Sequence, residues 1–259
     1  MAIITFTSDF GPRDHYVASV KAKMLSINPS LNIVDISHEI EPCNIPHAFF
    51  VLRSCFRDFP KGTVHLVAVD AVGRKGSKFV ALQLEDHYFL GNDNGLFSLI
   101  SEKEPSMIAE IAVMDEQSIR FPTKEVLGKA AAHLASGSGL QDIGKYTDAI
   151  ERKMNRTPRA SKQQISGHVI HIDHYGNLIT NIEEKVFNIL HKNARYTVTF
   201  GREQHDGLHK SLNEVEGGEC YVMFNSLGLL EIGINKGNAC ELLGLHYDSP
   251  VNIYFQRNG

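Results

Sequence analysis

Cysteine is scarce in this chain: Cys43, Cys55, Cys220 and Cys240 stand far apart, with no Cys-x-x-Cys pair. That spacing argues against a zinc site and a dense disulfide framework, and it fits a reducing cytoplasm. Charge of one sign is also missing. With 26 Lys and Arg against 30 Asp and Glu, the formal net charge is −4. There is no basic surface excess, so nucleic acid is a poor partner. The only basic run, residues 152–162, has the composition of a solvated linker. No apolar stretch reaches the ~20 residues that span a bilayer. No charged-then-apolar signal segment precedes the first strand-like run, Ile3-Ile4-Thr5-Phe6-Thr7. A phosphate loop is absent too: neither Gly-x-Gly-x-x-Gly nor Gly-x-x-x-x-Gly-Lys-(Ser/Thr) occurs.

What remains is an ordinary globular composition, 42% hydrophobic and 22% charged, in 259 residues. That length supports one large domain or two modest ones. The first part alternates short β-rich runs with helical patterns. Strands are expected at 2–7, 32–36, 63–69, 79–84, 87–90 and 107–112. Helices are expected at 16–27, stopped by Asn28-Pro29, at about 46–56 with Asn44 as N-cap, and at 125–135, ended by Gly137-Ser138-Gly139. Such alternation implies an α/β domain with a mainly parallel sheet covered on both faces, over residues 1–150. Residues 151–164 read as a linker. From 165 to 259 the pattern changes to strands at 167–172, 194–200, 219–224, 229–234 and 251–255, with one helix near 183–190. This smaller domain reads as a β-barrel or β-sandwich.

Several polar clusters fall at the expected carboxyl ends of strands, where open α/β sheets bind ligands. Ser8-Asp9-Phe10-Gly11 follows the first strand with Asp14 close behind, Ser37-His38 follows the second, and Asp70 the third. A carboxylate so placed can hold ribose hydroxyls, and without a phosphate loop the chain looks equipped for a nucleoside lacking phosphate. Each residue has a plainer reading. Asp14 would equally serve as an N-cap, Asp70 as a turn-former, and His38 as a histidine satisfied by backbone. Asp173-His174-Tyr175-Gly176-Asn177 would pass as a hairpin turn. His168, His171 and His174 lack the carboxylate or cysteine partners of a metal set. His133, amid Ala130-Ala131-Ala132 and Leu134-Ala135, reads as a packed helix position.

Taken together the clusters are more specific. Thr7-Ser8-Asp9-Phe10-Gly11 is followed by Val34-Asp35-Ile36-Ser37-His38-Glu39-Ile40, Val69-Asp70 and Asp93-Asn94-Gly95-Leu96. Asp173-His174-Tyr175-Gly176-Asn177-Leu178-Ile179-Thr180-Asn181-Ile182, Asn225-Ser226-Leu227-Gly228 and Asn235-Lys236-Gly237-Asn238-Ala239 complete the series. This order resembles the S-adenosylmethionine (SAM) hydroxide adenosyltransferase family, the relatives of bacterial fluorinase and chlorinase, over nearly the whole chain. The resemblance implies an N-terminal α/β domain, a C-terminal β-barrel, and a homotrimer holding SAM between the N-domain of one subunit and the C-domain of the next. It implies SAM as substrate, with no separate cofactor and no metal. Asp9 would hold the ribose hydroxyls, and Asp14, Asp173 and Ser226 the methionine amino and carboxylate groups. Tyr175 belongs to the same block. Asn177 would read the adenine edge, with backbone around Lys236-Gly237 completing that contact.

The family reaction displaces neutral methionine from the ribose 5′-carbon with water, giving adenosine. Family hydrolases place an Asp, an Arg and a His around that water, whereas fluorinase-type halogenases have a tyrosine at the Asp position. Asp70 matches the Asp and favours the water-using branch. The following run, Ala71-Val72-Gly73-Arg74-Lys75-Gly76-Ser77-Lys78, departs from the family pattern, so the positive charge is expected from Arg74, Lys75 or Lys78. Arg120-Phe121-Pro122-Thr123-Lys124-Glu125 puts Pro122 at the histidine position, and proline offers no side-chain hydrogen bond. Two readings follow: a SAM hydrolase with Asp70, Arg74 and Lys78 at the water, or a family member that binds SAM or adenosine without turning it over.

Overall fold

The computed structural model describes residues 3–72, 76–113 and 119–256. The chain divides into two compact units, Met1–Asn155 and Arg156–Gly259. In the first, the order is β1 (Ile3–Ser8), α1 (Tyr16–Ile27), β2 (Asn32–Ser37), α2 (Ile45–Cys55), β3 (Val64–Ala68), β4 (Phe79–Leu84), β5 (His87–Asn92), α3 (Phe97–Ile100), β6 (Met107–Ile111), α4 (Gly128–Ala135), α5 (Leu140–Ile143) and β7 (Gly144–Tyr146). The sheet runs β2-β1-β3-β5-β4-β6-β7. Strand β1 is parallel to both β2 and β3, and β3 is parallel to β5. The other half is antiparallel, so the sheet is mixed. The cause is local: only Glu85 and Asp86 separate β4 from β5, both with positive φ (51° and 65°), the two-residue hairpin turn that matches strand twist.

Helix signals in the sequence act as expected here. The Asn44 side chain accepts the His47 N–H at 3.0 Å, and Pro46 sits in the first turn of α2, where its missing N–H costs nothing. Helices α1 and α4 cover one sheet face, burying Val20, Met24, Ala131 and Leu134 against Ile4, Phe6, Leu66 and Leu90. The alanines of α4 leave room for close approach to the sheet. Helices α2 and α3 cover the other face, where Leu52, Phe56 and Phe97 meet Val67, Leu82 and Phe89. Every β3 residue is buried, as a central strand with both faces covered requires. Each large apolar side chain buried in this way contributes about 1.5–3 kcal/mol.

The second unit contains β8 (Arg159–Ala160), β9 (Gln164–Ile172), β10 (Leu178–Glu183), α6 (Glu184–His191), β11 (Arg195–Phe200), β12 (Glu203–Asp206), β13 (Cys220–Phe224), β14 (Leu229–Ile234), α7 (Ala239–Leu243) and β15 (Pro250–Gln256). Its sheet runs β12-β11-β15-β9-β10-β14-β13, with β8 on β9, and every pairing is antiparallel. It curls into a nearly closed barrel-like form around Ile165, Val169, Ile182, Val198, Ile232 and Ile253, which decides between barrel and sandwich. Among the described residues, no helix is long and apolar enough to cross a membrane.

Candidate active site

In the first unit, β1 lies between β2 and β3, so the chain leaves β1 in one direction through α1 and returns to its other side through α2. That reversal opens a crevice beyond the strand ends. Asp9 stands there, one residue past β1. Its Oδ2 accepts two backbone N–H groups, from Cys43 at 2.9 Å and from Asp70 at 3.1 Å. Both donors are non-glycine residues in the left-handed region, with φ 58° at Cys43 and 49° at Asp70. Such backbone is costly and persists where the surroundings impose it. At Asp70 two asparagines do so: Asn92 Nδ2 donates to the Asp70 carbonyl (2.9 Å) and Asn94 Nδ2 to the Val69 carbonyl (3.0 Å). Asp9 Oδ1 makes no hydrogen bond to a described residue, so one oxygen is fixed and the other is free to accept.

The neighbouring loop is tied down by rings. Phe10, Tyr16 and Phe121 pack tilted and edge-on about one another at centroid distances of 5.6–5.9 Å, which brings the segment before Pro122 against the Asp9 loop. Pro122 heads a π-helical turn, Thr123–Leu127, that runs into α4. Pro122, Val72, Ser77 and Lys78 line one cavity of about 740 Å³. Lys78 Nζ is 2.6 Å from the Glu110 carboxylate, whose hydrogen bond and charge hold the ammonium pKa above its usual value. Arg74 and Lys75 lie outside the described residues.

Three plainer readings are corrected. Asp14 is exposed and is not the cap of α1, whose N-cap is His15 without a side-chain bond. His38 meets side chains rather than backbone: its Nδ1 shares a hydrogen bond with Ser8 Oγ (2.7 Å), and its Nε2 sits 3.1 Å from Asp35 Oδ1. That second approach falls outside hydrogen-bond geometry, so Nε2 has no directed partner among the described residues. His133 is exposed on α4, while its neighbours in sequence are buried.

In the second unit, Asp173–Asn177 is the turn joining β9 to β10. Asp173 Oδ1 accepts the N–H groups of Tyr175 and Asn177, both at 2.9 Å, and Oδ2 accepts Asn177 Nδ2 at 3.0 Å. A carboxylate offers about four acceptor directions, so one remains open. Gly176 lies at φ 84°, and a Cβ there would fall 2.0 Å from Asn238 Oδ1, so any other residue is strained and must displace the Asn238 side chain. This close approach joins two clusters: Cys240 N donates to the Gly176 carbonyl at 2.9 Å, placing the Asp173 turn against Lys236-Gly237-Asn238. Tyr175 is 74% exposed. Ser226 is exposed in the Asn225–Gly228 turn, which no hydrogen bond links to the Asp173 turn. Among the described residues, no three His, Cys, Asp or Glu side chains converge to hold a metal.

Sequence reasoning missed Cys43 and Asn92. Cys43 acts through its backbone amide, which no residue type advertises. Its thiol pKa is raised, first by desolvation and then by the Asp70 and Asp9 carboxylates, so it stays protonated.

Fold and site define a two-unit architecture: an α/β unit with a fixed carboxylate at its strand reversal, followed by an antiparallel barrel-like unit. The chain belongs to the SAM hydroxide adenosyltransferase family, whose N-terminal domain matches residues 4–144 and whose C-terminal domain matches residues 167–252. It is 32% identical to the (R)-S-adenosyl-L-methionine hydrolase of Methanocaldococcus jannaschii, over 98% of this chain and 96% of that one. It is 29% identical to the protein of the same name from Thermus thermophilus, over 98% and 100%. The crystal structure of an uncharacterized conserved protein from Thermotoga maritima matches with a TM-score of 0.88 and 32% identity, covering 97% of this chain and all of that one.

Proposed function

We propose that this chain hydrolyses SAM to adenosine and methionine, with Asp70 orienting the water that attacks the ribose 5′-carbon. The observation that carries this reading is the Asp9–Asp70 link at the strand reversal, in a chain whose relatives bear the name SAM hydrolase. Asp9 takes the ribose hydroxyls on its free Oδ1, while the Asp70 amide holds its other oxygen. Binding and reacting groups therefore move as one body. Water forms the new C–O bond as the C–S bond breaks, and its electron pair returns to sulfur, giving neutral methionine. The leaving group needs no proton, so the protein has only to position water and accept its proton. Asp14, Asp173 and Ser226 hold the methionine end. Tyr175, Asn177 and the Lys236-Gly237 backbone hold the adenine end. Arg74 and Lys78 supply positive charge near the water.

The working form in this reading is a cytoplasmic homotrimer, with SAM held between the N-domain of one subunit and the C-domain of the next. Two observations favour a second reading, retention of SAM or adenosine without turnover. Pro122 brings no hydrogen-bonding side chain to its cavity, and Lys78 is paired with Glu110. Long incubation of purified protein with SAM, followed by chromatography for adenosine and methionine, separates the two. Adenosine from the wild type and none from Asp70→Ala is the result expected of a hydrolase. Saturable binding of SAM with no product from either protein means the site retains its ligand.

A further inference from the structure

Asn92 ends β5 and is only 3% exposed. Its Nδ2 donates to the Asp70 carbonyl at 2.9 Å. Because that partner can only accept, it fixes which end of the amide faces it, and the other end is the oxygen. Asn92 Oδ1 is buried and has no hydrogen-bond partner among the described residues. The contrast with Asn94 two residues on is informative. Asn94 supports the same turn through Nδ2, but its Oδ1 also accepts the Leu96 N–H at 3.2 Å. Holding the turn therefore does not require an amide oxygen left without a donor. A buried acceptor left unpaired costs on the order of 1–3 kcal/mol, so one kept on the amide that holds the Asp70 backbone calls for a donor.

The chemistry supplies one. A water molecule attacking carbon directs a lone pair at that carbon and points both O–H bonds elsewhere. It is held in line only if two acceptors receive them. Asp70 provides one acceptor, and the Pro122 side chain can provide none. We propose that Asn92 is a positioning residue for the hydrolysis, its Oδ1 accepting one O–H of the attacking water while the Asp70 carboxylate accepts the other. The amide takes no proton. As the C–O bond forms, the proton passes to Asp70 and then to solvent, and Asn92 keeps the water's lone pair aimed at the carbon. This inference rests on the hydrolase reading above.

The test compares wild type, Asn92→Ala and Asn92→Asp in SAM turnover, with adenosine affinity by calorimetry as the second readout. Asn92→Ala is expected to lower kcat by about 10-fold or more, with KM and adenosine affinity within about twofold of wild type. Asn92→Asp keeps an acceptor but loses the donor to Asp70, and its kcat is expected to exceed that of Asn92→Ala. A purely structural tether predicts the reverse order, with KM and adenosine affinity worsening in step with kcat, and that pattern overturns the proposal. So does a kcat for Asn92→Ala equal to wild type. Should Asn92→Ala fail to fold, Asn92→Ser replaces it: the hydroxyl can hold the Asp70 carbonyl but leaves the water short of an acceptor, and the same split is expected. A wild type that makes no adenosine overturns the hydrolase reading and this inference together, whereas an active wild type with indifferent Asn92 variants overturns this inference alone.

Discussion

The Asp9 carboxylate shows how much of a site can rest on groups without a side-chain signature. Two backbone amides, from Cys43 and Asp70, hold one of its oxygens. Asp9→Ala removes that shared acceptor: the exposed Cys43 amide can turn to water, while the part-buried Asp70 amide loses its partner, a loss of about 1 kcal/mol. Urea unfolding should therefore show reduced stability, and calorimetry should show adenosine affinity weakened by about 10-fold or more. Unchanged affinity removes Asp9 as the ribose acceptor. A second residue-scale prediction concerns His65 at the opposite end of the sheet. His65 Nδ1 shares a hydrogen bond with Thr5 Oγ1 (2.7 Å) and its Nε2 one with His87 Nδ1 (3.1 Å), within a shell of Phe56, Phe59 and Phe89. Desolvation, then the His87 charge, pushes the His65 pKa down to about 3. His87 is lowered as well, mainly by desolvation, with Glu85 and Asp86 opposing and Arg57 and Lys61 assisting. The folded pKa lies below the unfolded value of about 6.5, so between those values the unfolded chain binds the proton and the native protein does not. This contribution is whole above about pH 6.5 and is lost as pH falls toward 3, at up to about 1.4 kcal/mol per pH unit for one proton. Urea midpoints measured from pH 7.5 to 4.5 should fall more steeply for the wild type than for His65→Leu. Parallel curves would remove His65 as the cause.

At the scale of elements, legibility followed the hydrophobic pattern. Helix α1 was read to its final residue because Val20 and Met24 recur at helical spacing and Asn28-Pro29 ends it. Strand β10 was missed although its block was the most specific in the sequence. Thr180 and Asn181 are buried inside it, Asn181 bonding the His168 N–H and the Arg156 carbonyl, so polar residues occupy positions that alternation assigns to apolar ones. Strand β12, Glu203-Gln204-His205-Asp206, has no apolar side chain to read. Within the site, Asp9 and Asp70 were legible from their places at strand ends. Their coupling was not, because it passes through left-handed backbone at Cys43 and Asp70, where glycine or asparagine would ordinarily signal the turn. Residues 125–127 of the π-helical turn Thr123–Leu127 were read as ordinary helix, since its apolar residues Val126 and Leu127 fit either winding. Pro122 heads this turn at φ −55°, a value histidine adopts freely. Pro122→His should therefore fold normally and bring an imidazole to the cavity shared with Lys78. Steady-state assays should show kcat raised by about 10-fold or more if a missing donor limits hydrolysis, since acid–base groups contribute about 10²–10⁴-fold. An unchanged kcat would mean that Pro122 does not limit the water step.

For the whole molecule, the two units carry complementary halves of the proposed chemistry. Asp9 and Asp70 lie in the first, and the Asp173 turn and Lys236-Gly237 in the second. Neither half holds every group that SAM requires, so the reading needs them joined, and it joins them between subunits of a trimer. That arrangement has a consequence no single-chain site shares. Asp9→Ala impairs only the first half and Gly176→Val only the second, by forcing a side chain into the space of Asn238. Each variant alone should be inactive. In trimers assembled at random from an equal mixture, about one interface in four joins two intact halves, because symmetry brings the same pair of surfaces together at every contact. Co-expression should thus restore about a quarter of wild-type SAM turnover in a species whose light-scattering mass is that of three chains. If each chain builds its own site, every site in the mixture keeps one damaged half. Activity then stays at the level of the separate variants, and the shared-site assembly is wrong even where the hydrolase is right.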